Sequence, residues 1–143
     1  MKLLVTGGLG FIGSNFILKL LKDSNDYEIL NIDAEIYGAD HRNLSQIQNS
    51  DKYEFIKGTI TNKKFMEEQI KKCDAVVNFA AESFVDRSIS DANPFLVSNI
   101  RGAFTILDII TKEKKRMIQI STDEVFGSLF TGTANEDSKF NPS

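Results

Sequence analysis

Lys2-Leu-Leu-Val-Thr6 followed by Gly7-Gly-Leu-Gly10-Phe-Ile-Gly13 is a short apolar run that meets a glycine-rich turn. The turn leads straight into Phe11 to Lys22, where Phe11, Ile12, Phe16, Ile17, Leu20 and Leu21 recur at helical spacing. The order predicts strand, turn and helix. A turn without side chains lets backbone N–H groups approach a diphosphate, and the helix N-terminus adds partial positive charge at the same place. The last glycine allows the helix to pack close to the strand. The spacing is G-x-x-G-x-x-G through Gly7, Gly10 and Gly13, and Gly8 gives the same loop a second reading as G-x-G-x-x-G. No Lys follows Gly13, so it is not a Walker loop. Asp33 ends the next predicted strand, Glu28 to Asp33, where an acid accepts hydrogen bonds from adenine-ribose hydroxyls.

The remaining chain continues the alternation. Tyr53 to Lys57 reads as a strand, Lys63 to Lys72 as a helix capped by Thr61 or Asn62, and Asp74 to Ala80 as a buried strand. Asn93-Pro94 opens a long helix running to about Thr111, with Asn93 at the cap. Arg116 to Thr122 is a fifth strand, and Asp123 to Ser143 reads as loop. A possible short helix starts at Asn43. Five strands alternating with helices predict an α/β fold, a Rossmann-like doubly wound parallel sheet. Ligands of such sheets bind at the carboxyl ends of the strands, here after Thr6, Asp33, Gly58, Ala80 and Thr122.

The 143 residues fit one domain, and a 41% hydrophobic fraction supplies a core. A net charge of -3 argues against a protein built to bind nucleic acid by phosphate neutralisation. The basic cluster Lys112 to Arg116 suits a helix C-terminus and water. One cysteine, Cys73, permits no internal disulfide, and with one histidine, His41, it makes no zinc site. Cys73 reads as a small apolar residue and His41 as a surface one. No apolar run is long enough for a membrane and no signal peptide is evident, so the cytoplasm is expected.

Thr6 to Gly13, Asn78-Phe-Ala-Ala-Glu-Ser-Phe-Val-Asp-Arg-Ser-Ile89, Asn99 and Ser121-Thr-Asp-Glu-Val-Phe-Gly127 together resemble the extended short-chain dehydrogenases/reductases, and within them the nucleotide-sugar 4,6-dehydratases. The resemblance covers essentially the whole chain. It implies NAD as cofactor and a dTDP-glucose-type substrate that is oxidised at C4, loses water across C5 and C6, and regains hydride at C6. It assigns Thr122 to the C4 oxygen, Glu124 to the C5 proton and Asp123 to the leaving C6 hydroxyl. One carboxyl must then be protonated and its neighbour ionised, which adjacent carboxyls achieve in a dry site. The implied cofactor residues are Gly7, Gly10, Phe11, Ile12, Gly13, Asp33, Thr59, Ile60, Ala80, Ala81 and Asn99, with Asp33 favouring NAD over NADP by repelling a 2′-phosphate. Ser83, Asp86 and Arg87, beside Glu82, are the implied substrate contacts. Tyr37 is placed along the adenosine or over the loop.

Three positions depart from the family pattern. Thr59 stands where an acid usually holds the adenine amino group, Phe84 where His is common, and Phe126 where Tyr is. The family's Tyr-x-x-x-Lys pair and its small substrate-binding domain are expected beyond Ser143. Residues 1–143 are therefore expected to form the NAD-binding portion and half of the active site, to be inactive alone, and to leave the long helix with uncovered apolar surface that favours self-association or a homodimer. An epimerase or reductase of the same family, or an NAD-binding module without catalysis, are the competing readings.

Overall fold

In a computed structural model, described for residues 1–129 and 131–142, the order is β1 (Lys2–Thr6), α1 (Phe11–Asp23), β2 (Glu28–Asp33), a 3-10 segment (His41–Ile47), β3 (Tyr53–Lys57), α2 (Lys63–Lys71), β4 (Ala75–Asn78), α3 (Val85–Ser90), α4 (Asn93–Phe95), a π-helical stretch (Leu96–Gly102), α5 (Ala103–Glu113), β5 (Arg116–Gln119) and a 3-10 turn (Asp123–Phe126). The five strands form one sheet in the order β3-β2-β1-β4-β5, every pairing parallel. Leaving β1, the chain winds first towards β3 and then, after crossing back, towards β5. The crevice between β1 and β4 is thus the switch point.

Side chains alternate across the pleat, so each strand feeds two cores. Leu4, Leu30, Ile32 and Val76 pack under α2 and α5 with Met66, Ile70, Ile106 and Ile109. Leu3, Val5, Ile29 and Val77 pack under α1 and the first 3-10 segment with Ile17 and Leu44. The Asn62 side chain caps α2 by accepting from Phe65 N at 3.2 Å. Cys73 is buried, and burial pushes its thiol up to about 11, which makes it an inert apolar residue at neutral pH. Among the described residues no helix is long and apolar enough to cross a membrane.

The expected elements appear with four differences. β4 and β5 stop at Asn78 and Gln119 rather than Ala80 and Thr122, because the chain parts at the switch point and β5 has only β4 to pair with. The long helix begins after Ala92, not after an Asn93 cap, and Asn93 N is held by Asp91 Oδ1 at 3.0 Å. Its middle widens into the π stretch, and α5 ends at Lys114 in the left-handed region (φ 52). Two short helices, Val85–Ser90 and Asp123–Phe126, occupy stretches expected as loop. Lys115 is not simply solvated. Its ammonium donates to Ile70 O at 2.6 Å, Lys71 O at 2.9 Å and Cys73 O, closing the end of α2.

Leu96, Ile100, Phe104 and Leu107 on the long helix, and Ile118 on β5, are all about half exposed or more. The uncovered apolar stripe expected from the sequence is present.

Candidate nucleotide and sugar site

Gly7 sets the corner. Its φ is +70°, and a Cβ there would lie 2.6 Å from Ala80 N and 2.7 Å from Ala80 Cα. Only glycine lets the β1 turn and the β4 exit touch in this way. Gly13 lets α1 close onto the same turn, since its Cβ would fall 2.5 Å from Gly7 O. Gly8 faces inward onto Asn31, so the second glycine reading describes packing rather than a ligand surface. At Gly10 a Cβ would meet only Gly7 O at 3.4 Å. Gly10 also caps α1 without a side chain, no acid lies in the first helical turn, and Phe11 and Ile12 are exposed. The first N–H groups of α1 have no intrahelical partner. Together these features leave an open backbone cradle with the geometry and charge that suit a diphosphate.

Asp33 is 7% exposed, and its carboxylate braces the cradle: Oδ2 accepts from Leu9 N at 3.0 Å and Oδ1 from Glu35 N at 2.9 Å. A carboxylate has further lone pairs for ribose hydroxyls. Beyond it, the Thr59 hydroxyl is exposed and paired with Thr61 Oγ1 at 2.9 Å, while the Ile60 side chain is buried in the core against Gly102. Ile60 therefore offers a ligand no side chain.

The β4 exit is clamped from the long helix. Asn99, inside the π stretch, accepts from Glu82 N and donates to Glu82 O, both at 2.8 Å. π-helical insertions are frequent at functional sites. Here the wider turn carries a side chain that clamps the backbone of the loop after Ala80 and Ala81. Glu82 is 7% exposed and accepts from Arg87 Nη1 at 3.2 Å. Arg87 also lies over the Tyr37 ring at 4.3 Å, and Tyr37 meets Phe84 edge-on at 4.9 Å. The loop after β2 thus reaches across to the loop after β4. Ser83 and Asp86 stand exposed beside this contact.

At the β5 end, Thr122, Asp123 and Glu124 are together and exposed. The Thr122 hydroxyl accepts from Glu124 N at 3.3 Å and lies 3.3 Å from Asp123 Oδ1. The turn is held from behind by Asn141 N donating to Val125 O at 2.9 Å and by Phe140 against Phe126. The sequence reading missed what joins this end to the cradle. Thr6, Asn78 and Gln119 are register partners on one face. Thr6 Oγ1 donates to Asn78 Oδ1, Asn78 Nδ2 to Gln119 Oε1 at 2.8 Å, and Gln119 Nε2 to Ile120 O at 2.8 Å. Thr6 and Asn78 are fully buried. Polar residues in otherwise apolar strands were the available signal. Tyr53 and Lys57 have the family's four-residue spacing but lie on strand β3. The Tyr53 hydroxyl bonds Asn31 at 2.9 Å and burial raises its pKa, so it is no base. Among the described residues no group of three His, Cys, Asp or Glu could hold a metal ion.

Several known proteins match the chain. Low-salt glycan biosynthesis protein Agl12 of Haloferax volcanii is 41% identical over 99% of the chain and 46% of its own length. The crystal structure of dTDP-glucose 4,6-dehydratase from Bacillus anthracis in complex with NAD is 39% identical with a TM-score of 0.89, over 100% of this chain and 44% of that one. DesIV, the dTDP-glucose 4,6-dehydratase of Streptomyces venezuelae solved with NAD bound, is 37% identical with a TM-score of 0.92, over 99% and 46%. The chain spans about half the length of the relatives it matches. The family model described as GDP-mannose 4,6 dehydratase matches residues 4–143, and the chain belongs to that family.

Proposed function

We propose that residues 1–143 are the NAD-binding portion of a cytoplasmic nucleotide-sugar 4,6-dehydratase acting on dTDP-glucose. The observation that carries this reading is that the diphosphate cradle, the ribose acid Asp33 and the Thr122-Asp123-Glu124 trio all lie at the carboxyl end of one parallel sheet. The dTDP-glucose dehydratases of matching fold and sequence support it.

Phe11, Ile12 and Gly13 present backbone N–H groups to the diphosphate, Gly10, whose own N–H is held by Gly7 O, keeps the approach free of a side chain, and Asp33 accepts from the adenosine ribose. When bound, NAD supplies the hydride acceptor for sugar C4 and the hydride donor for C6. Thr122 Oγ1 donates to the C4 oxygen as it becomes a carbonyl, and the C4 hydroxyl proton would pass to the Tyr of the Tyr-x-x-x-Lys pair that the family resemblance implies. The Glu124 carboxylate removes the C5 proton, which the neighbouring carbonyl has made acidic. The Asp123 carboxyl delivers a proton to the C6 hydroxyl, which departs as water. Both carboxyls are open to solvent here, so the bound nucleotide sugar has to supply the dry surroundings that pull their ionisation apart.

In the full-length protein, Glu124→Gln should lower turnover of dTDP-glucose by about a hundredfold or more while NAD affinity is kept. Loss of one water from the sugar, read by mass spectrometry, is the assay. Wild-type turnover that survives the substitution would overturn the role of Glu124. Among the described residues no helix carries Tyr-x-x-x-Lys, and the polypeptide 1–143 alone should bind NAD without turnover. Steady product formation by it would refute that expectation. The exposure of Asp123 and Glu124 favours a second reading, a cofactor-binding module without catalysis. Unchanged dTDP-glucose beside normal NAD binding in the full-length protein would select it. The apolar stripe on the long helix supports pairing of two copies, and a concentration-independent monomer in light scattering would refute that pairing.

A further inference from the structure

Beside Asp33 the chain gathers Lys57, His41 and Arg42, and an acid engages each of them. Asp33 and Lys57 are register partners, so their side chains leave the sheet on the same face. Glu35 follows two residues after Asp33 with φ 55, and its N–H bonds Asp33 Oδ1. That left-handed turn brings its carboxylate to Lys57 Nζ and His41 Nε2 together. Lys57, first, and then His41 hold the Glu35 carboxyl below the usual carboxylate range. Arg42 is engaged separately by Asp40, with Nη2 2.6 Å and Nε 2.9 Å from Oδ2.

An adenosine whose ribose hydroxyls rest on Asp33 brings whatever its 2′-oxygen carries into this group of charges. Lys57 is the natural partner for a 2′-phosphate, because an ammonium makes charge-assisted bonds to phosphate oxygens. Glu35 occupies it. We propose that Glu35 is a second determinant of the choice of NAD over NADP: Asp33 repels the 2′-phosphate, and Glu35 withholds the Lys57 ammonium that would otherwise bind it. The inference rests on the NAD-binding reading above and names a residue that the sequence did not single out.

The test is calorimetric titration of the full-length protein with NAD, 5′-AMP and 2′,5′-ADP, the last two probing the adenosine end alone. Glu35→Gln keeps the size of the side chain and leaves Asp33 with both its backbone bonds. It should tighten 2′,5′-ADP relative to 5′-AMP by roughly tenfold, the worth of one freed charge-assisted bond. The gain should vanish when Lys57→Met is added, and should shrink in high salt. Glu35→Ala should give a gain of the same sign. No gain in either Glu35 variant, or a gain that survives Lys57→Met, overturns the proposal while leaving NAD binding intact. A wild type that takes up no NAD sinks the cofactor reading itself, and this inference with it.

Discussion

At the β1–β2 corner, Asp33 is 7% exposed and its two oxygens hold the backbone of Leu9 and Glu35, while Gly7 and Gly13 press that turn against β4 and α1. At the β5 corner, Thr122, Asp123 and Glu124 are exposed on a turn beyond an edge strand with a single paired neighbour. The first corner is built by close packing of helix and sheet, so its shape exists before any ligand arrives. The second is held by the side-chain row from Thr6 to Gln119, a short turn and the returning residues Phe140 and Asn141. Binding geometry is thus preformed where a cofactor would sit. Where a sugar would react, the chemistry waits for a cover. A preorganised site costs no rearrangement when it is used, and here that property belongs to one corner only.

The sharpest way to break this contrast is at Gly7. Gly7→Ala adds a Cβ at φ +70° within 2.6 Å of Ala80 N, where both neighbours are backbone and neither can rotate away. It should cost about 2–4 kcal/mol, the combined scale of a strained left-handed residue and an overpacked contact. Urea denaturation would measure the loss, and NAD affinity should fall with it. Gly10→Ala is the counterpart, since its Cβ meets only Gly7 O at 3.4 Å. Its stability should stay within about 0.5 kcal/mol of wild type, while NAD affinity drops because the methyl stands in the cradle. If both glycines behave alike, the first corner is not built by close approach.

A smaller effect tests the other corner. Asn78→Leu removes the middle of the polar row and leaves the Thr6 hydroxyl buried without its partner. The expected cost is about 1–3 kcal/mol, the penalty for an unsatisfied buried group. Hydrogen exchange separates its local consequence from simple destabilisation. Amides of residues 120–124 should exchange faster at the β5 tip, while those of residues 7–13 keep their protection relative to the rest of the sheet. Uniform loosening of both segments would mean that the row serves the whole sheet rather than the turn beyond β5.

The same contrast explains what the sequence made legible. The glycine turn and Asp33 sit in runs of strongly periodic residues, and local chemistry alone dictates strand, turn and helix there. The parallel order follows from alternation, because a crossover helix between strands leaves few other topologies. Much less was legible wherever partners lie far apart in sequence. Asn78 and Gln119 are separated by 41 positions, and only the register of β4 and β5 brings them together. Lys115 belongs to a charge cluster that reads as a solvated helix end, yet its ammonium closes the end of α2 more than forty residues away. Asn99 reads as one polar residue in an amphipathic helix. Its grip on Glu82 depends on a widened turn that no residue pattern announces. Glu35 is legible least of all, since its position follows from a positive φ that a glutamate seldom adopts.

The smallest expected effect concerns that residue and sets the two corners apart by pH. Glu35 has an ordinary value of 4.5 and is held below it in the folded chain by Lys57 and His41. The unfolded chain therefore takes up this proton at a higher pH than the folded one. The stabilisation from Glu35 is complete above the unfolded value and drains away as pH falls through the folded one. Comparing wild type with Glu35→Gln in urea should give a stability gap that is present at pH 5 and shrinks as pH falls below the ordinary value of 4.5, the sign that linkage requires for a depressed carboxyl. The pairs are exposed, so the gap should be small and should narrow further with added salt. Asp40 is depressed by Arg42 in the same way and is untouched by the substitution, so part of the acid sensitivity of this corner should remain in the variant. A gap that stayed flat through this acid range would mean that the Glu35 pairs do not form in solution, and Lys57 would then be free to meet a phosphate.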